Sequence, residues 1–285
     1  MNPRSRTRVP FDQPFTIDDV TRNGITLATL RGWKARREVV QIAPGLFVPT
    51  ELADDASTRA IHTAKSVSRG RASVSALGSA VLHGLATPLN PHRSLAHTPT
   101  DHVVPAQFLR QHGRLLVPDV TWTSLQVARY QRLPGALIPL DAALRLGVTR
   151  DDLLRALPFL ENWPGAKRLP LAIEHADAKS GSPLESWSRG LMVEHDIPSP
   201  LLQPKLRVAG FTYYPDFLWR EARLIGEADG RGKYSDPAEI ENEKRRQARL
   251  QAEGYTLYRW GWPEVAGNCT AWLRGLEAAL RRRAA

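Results

Sequence analysis

The sequence predicts an α/β protein of the α+β kind, divided into several domains, and three observations predict it. At 285 residues the chain is too long for one small core. Its first fifty residues read as two short helices with a tight turn, followed by a strand hairpin. Its last hundred read as helix, antiparallel strands, helix, strand, an order that builds a mixed sheet flanked by helices.

A content of 42% hydrophobic and 24% charged residues is enough to bury real cores and excludes global disorder. The 39 Lys+Arg against 29 Asp+Glu leave a net charge of +10, which attracts polyphosphates and favours nucleic acid or an anionic surface. No window approaches a membrane-spanning apolar run, so no membrane association is expected. The basic start Met1-Asn2-Pro3-Arg4-Ser5-Arg6 leads into no apolar segment of the signal-peptide kind, and a cytoplasmic protein is expected. Cys269 stands alone, which excludes an internal disulfide framework and a thiolate zinc cluster.

Residues 1–13 are expected to form a disordered arm, and residues 14–50 a winged helix-turn-helix. Thr16–Val20 reads as a first helix and Asn23-Gly24-Ile25 as a turn. A second helix over Thr26–Arg37 carries Leu27, Leu30 and Trp33 on one face. Glu38–Ile42 and Leu46–Val48 form the wing, turning at Pro44-Gly45. The second helix displays Arg31, Lys34, Arg36 and Arg37, residue types that engage phosphates and guanine edges.

A middle α/β domain is expected over residues 51–175. It holds a helical stretch from Thr58 to Ala86 and short strands at Asp101–Val104 and Leu115–Val117. Two helices follow between Thr123 and Leu146, broken at Leu133-Pro134-Gly135 and stopped by Gly147. His83, His92, His97 and His102 lack the spacing and neighbouring acid of metal ligands, so they read as core or surface histidines. The small polar segment Ala176–Pro183 marks the boundary of a final domain over residues 180–285.

The chemistry concentrates in that final domain. Pro215–Trp219 and Arg223–Glu227 flank the polar turn Arg220-Glu221-Ala222. A hairpin symmetric about that turn sets Asp216 across from Glu227, on one face of the sheet. Two carboxylates so close repel unless a cation sits between them, and a hard ion such as Mg²⁺ or Mn²⁺ suits oxygen ligands. Alternation along the strand adds Asp229 to the same face. Ser182-Pro183-Leu184-Glu185 fits a capping box, which leaves Glu185 either capping its helix or joining the site. Lys244, Arg245 and Arg246 line a phosphate path or else form a solvated face paired with Glu239, Glu241 and Glu243.

Pro215-Asp216, then Glu227-Ala228-Asp229, with Glu185 on an upstream helix, resembles the PD-(D/E)xK restriction-endonuclease-like superfamily. The closer likeness is to its Vsr-like branch, in which an acid-x-Asp-Gly segment precedes a helix of the Glu-Lys-Arg-Arg kind. The resemblance implies a restriction-endonuclease-like mixed sheet flanked by helices. It implies Asp216 and Glu227 as metal ligands, the Ala228 carbonyl as a further donor, and Glu185 assisting. The chain departs from the pattern in placing Asp229 where the motif has lysine, with Lys233 as the nearby positive group. Phe15–Pro49, with Ile42–Val48 as its wing, resembles the winged helix of AbiEi-type antitoxins, and Leu82-His83-Gly84-Leu85 fits the domain behind it.

Together these readings imply a DNA-binding protein with a Mg²⁺-dependent endonuclease-like domain. The alternative is a non-catalytic, antitoxin-like repressor on a degenerate nuclease fold, with a cognate toxin as its partner. RNA in place of DNA stays open, as does the oligomeric state.

Overall fold

A computed structural model describes residues 9–12, 15–43, 46–52, 79–80, 82–87, 104–112, 115–228, 237–267 and 269–281. These residues form an α+β protein, and the chain divides into two compact units. One comprises Met1–Val127 with Pro158–Leu160, the other Ala128–Leu157 with Glu161–Ala285. Much of the expected Thr58–Ala86 helix, the expected strand from Asp101, the wing tip and the arm up to residue 8 lie outside the described residues.

In the first unit, β1 (Phe15–Thr16) leads into α1 (Ile17–Arg22) and α2 (Leu27–Ala35). Gly24 adopts a φ of +69° in the turn between the helices, a conformation glycine enters without a Cβ clash. Thr26 caps α2, its hydroxyl accepting from the Thr29 N–H at 3.1 Å. The hairpin of β2 (Val39–Ala43) and β3 (Leu46–Pro49) follows, and β1 completes a three-stranded sheet in the order β1-β3-β2. Phe15, Val20, Leu30, Trp33, Val39 and Phe47 close its core. Leu27, expected on that face, is 43% exposed because it opens the helix beyond the core's edge.

Further along, β4 (Leu109–His112) and β5 (Leu115–Pro118) pair antiparallel ahead of α3 (Val120–Ala128). His83 directs its Nε2 to the Pro118 carbonyl at 2.7 Å, a structural contact; His92, His97 and His102 lie outside the described residues.

The second unit opens with α4 (Leu133–Arg145), α5 (Arg150–Ala156) and α6 (Leu169–His175). The two expected helices are α3 and α4, and Leu133-Pro134 opens the second of them, because proline's missing N–H costs nothing in a first turn. Then come α7 (Pro183–Glu194), β6 (Leu201–Leu202), the hairpin of β7 (Leu206–Val208) and β8 (Phe211–Tyr213), β9 (Phe217–Trp219) and β10 (Leu224–Ala228). The chain closes with α8 (Pro237–Ala252), β11 (Thr256–Trp260), α9 (Trp262–Ala266) and α10 (Thr270–Arg281).

The segment Ala176–Pro183, expected as a boundary, lies inside this unit. The Asp177 N–H donates to Asp141 Oδ1 at 2.8 Å, and Arg145 donates to the Ser180 carbonyl. Small polar residues serve a loop pinned by its backbone as readily as a linker, and composition does not tell the two apart.

The principal sheet runs β11-β10-β9-β6, with β10 parallel to β11 and antiparallel to β9. One face packs Phe217, Trp219, Leu224 and Trp260 against Leu184, Leu191, Val265, Trp272 and Leu276 of α7, α9 and α10. The other packs Leu218 and Ile225 against Leu250 of α8 and Leu206 and Val208 of β7. Gly226 fits between two indoles: a Cβ there would stand 2.7 Å from Trp260 Cη2 and 3.0 Å from Trp219 Cζ3. Among the described residues no helix is long and apolar enough to cross a membrane.

Candidate metal and phosphate centre

The β9–β10 ladder pairs Trp219 with Leu224, Leu218 with Ile225 and Phe217 with Gly226. One step further in that register stand Asp216 and Glu227. The ladder stops there, and the Asp216 side chain replaces a backbone acceptor, its Oδ2 accepting from the Ala228 N–H at 2.9 Å. Glu227 extends the row of Ile225, on the side of the sheet that α8 covers.

Glu185 reaches the same place from α7, where it is buried. Ser182 caps that helix by accepting from the Glu185 N–H at 3.2 Å, while the Glu185 carboxylate accepts from the Gly181 N–H at 2.7 Å. Glu185 braces its own helix start through the Gly181 N–H rather than the Ser182 N–H of a capping box, and its charge acts on Asp216. The connection is Gln203, which no sequence pattern singles out. Its Nε2 donates to Asp216 Oδ1 at 2.8 Å and to Glu185 Oε2 at 3.1 Å. Its backbone N–H donates to the Asp216 carbonyl at 3.1 Å, and its φ of +44° lies in the left-handed region. A non-glycine residue in that conformation costs about 1–3 kcal/mol and persists only where its surroundings hold it, here through bonds at both backbone and side chain. The only sequence signal is a polar residue ending the apolar pair Leu201-Leu202.

Electrostatics separate the two facing acids. Burial, then the charge of Glu185, with Glu227 adding to both, pushes Asp216 up to about 6, against the opposing bonds from Ala228 and Gln203. Burial also works to raise Glu227, but hydrogen bonds and charge from Arg246, then Arg259, outweigh it and hold that carboxyl below its ordinary range. Arg246 grips Glu227 with both terminal nitrogens, Nη1 at 3.2 Å, and Arg259 Nε stands 3.2 Å from Glu227 Oε2. Glu243 joins both arginines, at 2.9 Å from Arg246 Nη1, which closes a four-membered ring of ion pairs.

Arg246 is expected on a phosphate path; the structure turns it inward, onto Glu227. Lys244 and Arg245 of α8 are exposed, Arg245 pairing with Glu241 at 3.1 Å. Arg259 meets Glu227 through the parallel β10–β11 register, which no local pattern announces. Asp229 and Lys233 lie outside the described residues. On α2 and the turn after it, Arg31, Lys34, Arg36 and Arg37 are all exposed. Lys34 donates to Gln41 at 2.6 Å, and Arg36 forms a two-pronged pair with Glu38 at 2.8 and 3.1 Å.

No family model matches the chain. It is 35% identical over 156 residues to two uncharacterized proteins of Mycobacterium tuberculosis, from strains CDC 1551 / Oshkosh and H37Rv. That alignment takes in 54% of this chain and 57% of each relative, so the chain spans little more than half the length of the curated relatives it matches. No solved structure matches.

The donors suit a hard divalent cation in kind, being carboxylate oxygens gathered at one end of one sheet. Among the described residues no cluster of three or more His, Cys, Asp or Glu is arranged to hold a metal ion, and the third carboxylate of the expected set, Asp229, is not among those residues. The Asp216 carboxyl, raised first by burial and then by the charge of Glu185 and Glu227, is the feature that a cation would relieve.

A pH dependence follows from Asp216. Its folded-state value, about 6, exceeds the ordinary 3.8, so stability gained by its protonation is full below about pH 4 and lost as pH rises through about 6. Asp216→Asn is uncharged throughout. Its Tm advantage over the wild type in cation-free buffer is therefore expected to be larger at about pH 7 than at about pH 5. A gap that stays constant would contradict the raised carboxyl.

Proposed function

We propose that the second unit carries a Mg²⁺- or Mn²⁺-dependent phosphodiesterase centre of the restriction-endonuclease type, in a protein that binds DNA through an N-terminal winged helix. The observation that carries this reading is the cross-strand placement of Asp216 and Glu227, one step beyond the Phe217–Gly226 pair, with Gln203 joining Asp216 to Glu185. Asp216 and Glu227 are the proposed ligands, with Asp229 and the Ala228 carbonyl completing the set. Glu185 supports Asp216 through Gln203, and Lys233 is the proposed positive group in place of the motif lysine. A bound cation would supply an activated water and stabilise charge on the phosphodiester. The winged-helix reading is supported by two helices, a tight turn and the β1-β3-β2 sheet, with exposed basic residues on and just after α2.

Purified protein is expected to nick supercoiled DNA with Mg²⁺ or Mn²⁺. Asp216→Ala is expected to reduce that rate about 10²–10³-fold, the scale on which removing a group that stabilises transition-state charge acts. A wild type that neither nicks DNA nor binds Mn²⁺ by calorimetry would overturn the proposal.

Two observations favour a second reading, the antitoxin-like repressor. Glu227 is already neutralised by two arginines, and position 229 is aspartate where the motif has lysine. Under that reading DNA affinity is the same for wild type and Asp216→Ala, neither cleaves, and a cognate toxin is the implied partner.

A further inference from the structure

We infer that Arg246 and Arg259 constitute a phosphate-binding site that Glu227 occupies in the free protein, and that a nucleic-acid phosphate exchanges for Glu227 there, releasing its carboxylate to a cation. The inference rests on the nuclease reading above and adds how substrate and cation are coupled.

Geometry is the first support. Arg246 meets Glu227 with two nitrogens, Arg259 adds a third contact, and Glu243 pairs with both guanidinium groups. A guanidinium fork accepts two oxygens of a phosphodiester in the same way as two oxygens of a carboxylate. The arginines are thus oriented for an oxyanion before any ligand arrives, and Glu243 keeps them oriented when Glu227 leaves.

Charge is the second support. Arg246 and Arg259 against Glu227 and Glu243 sum to zero in the free protein. A phosphodiester carries one negative charge, so its exchange for Glu227 leaves the arginine site neutral. The freed carboxylate then adds its charge to Asp216 and Glu185, where no basic side chain is bonded to either acid among the described residues. Without the exchange, a cation competes with two guanidinium groups for Glu227.

Access is the third. The side chains of Arg246 and Arg259 retain 22% and 34% exposure. A phosphate can reach them without unfolding the sheet.

The test is Mn²⁺ calorimetry on the full chain, alone and with a duplex made hydrolysis-resistant by phosphorothioate linkages. The duplex is expected to tighten Mn²⁺ binding by about tenfold or more, and Mn²⁺ to tighten duplex binding by the same factor. Arg246→Gln, with no duplex present, is expected to tighten Mn²⁺ binding several-fold and to weaken duplex binding. Arg281→Gln removes the same charge from an exposed side chain paired with Glu277 on α10, and is expected to leave Mn²⁺ affinity unchanged. Equal Mn²⁺ affinity in wild type and a folded Arg246→Gln, with no response to duplex, would overturn the exchange while leaving the cation site standing. Should Arg246→Gln fail to fold, the wild-type comparison with and without duplex decides alone. Absence of Mn²⁺ binding under every condition would remove the nuclease reading and the exchange together.

Discussion

Arg189→Met is expected to cost about 3–5 kcal/mol of stability, the range for breaking a buried ion pair from one side. Arg189 Nη2 donates to Asp141 Oδ2 at 2.5 Å, and Asp141 has no exposed side-chain surface. The same guanidinium donates to the His175 carbonyl and to Ser180 Oγ at 3.2 Å, so one side chain ties α7 to α4 and to the end of α6. Burial already sets Asp141 above its ordinary range despite Arg189. Removing the arginine leaves a carboxylate in the interior with only the Asp177 N–H and Ser186 to serve it. Urea unfolding followed by circular dichroism should show the loss. The double variant Asp141→Leu, Arg189→Met should recover most of it, because apolar replacement of both partners leaves no buried charge. A double variant as weak as the single one would contradict this account.

Gly190→Ala is expected to destabilise by about 2 kcal/mol or more, although alanine gains about 1 kcal/mol over glycine in a helix interior. A Cβ at Gly190 would stand 2.3 Å from Pro134 Cα and 2.7 Å from Pro134 N. Both are backbone atoms, so no rotamer change relieves the contact and α7 must move away from α4. That movement reaches the centre, since α7 also carries Glu185. Loss of Mn²⁺ affinity is expected to accompany the fall in Tm. A variant as stable as the wild type would show that the helices yield more easily than close backbone packing allows.

Much of this site is legible in the amino-acid sequence. The two apolar runs around Arg220-Glu221-Ala222 fix a hairpin register, because a slip of one residue would send Leu218 and Ile225 to the wrong face. Asp216 and Glu227 follow from that register alone. What joins them is not legible: Gln203 comes from just past a two-residue strand at the sheet's far edge, and Arg259 from a parallel neighbour more than thirty residues along the chain. Local periodicity carries no information about either partner. Arg246 is visible as a charge but not in its direction, since a helix of mixed Glu and Arg looks the same whether a given arginine faces water or the sheet. The anchoring of the Ala176–Pro183 loop is hidden for a related reason, because the hydrogen bonds of Asp177 and Ser180 are made to side chains of a distant helix.

The parallel pairing of β11 has an implication for biosynthesis. Glu227 is translated well before the arginine opposite it, and β10 keeps an open edge until Thr256–Trp260 has left the ribosome and docked. A chain halted before that strand would present its acidic residues without Arg259 and without the far wall of the sheet. Among the described residues β11 is the last strand, so the sheet that carries Asp216 and Glu227 is complete only once it has docked.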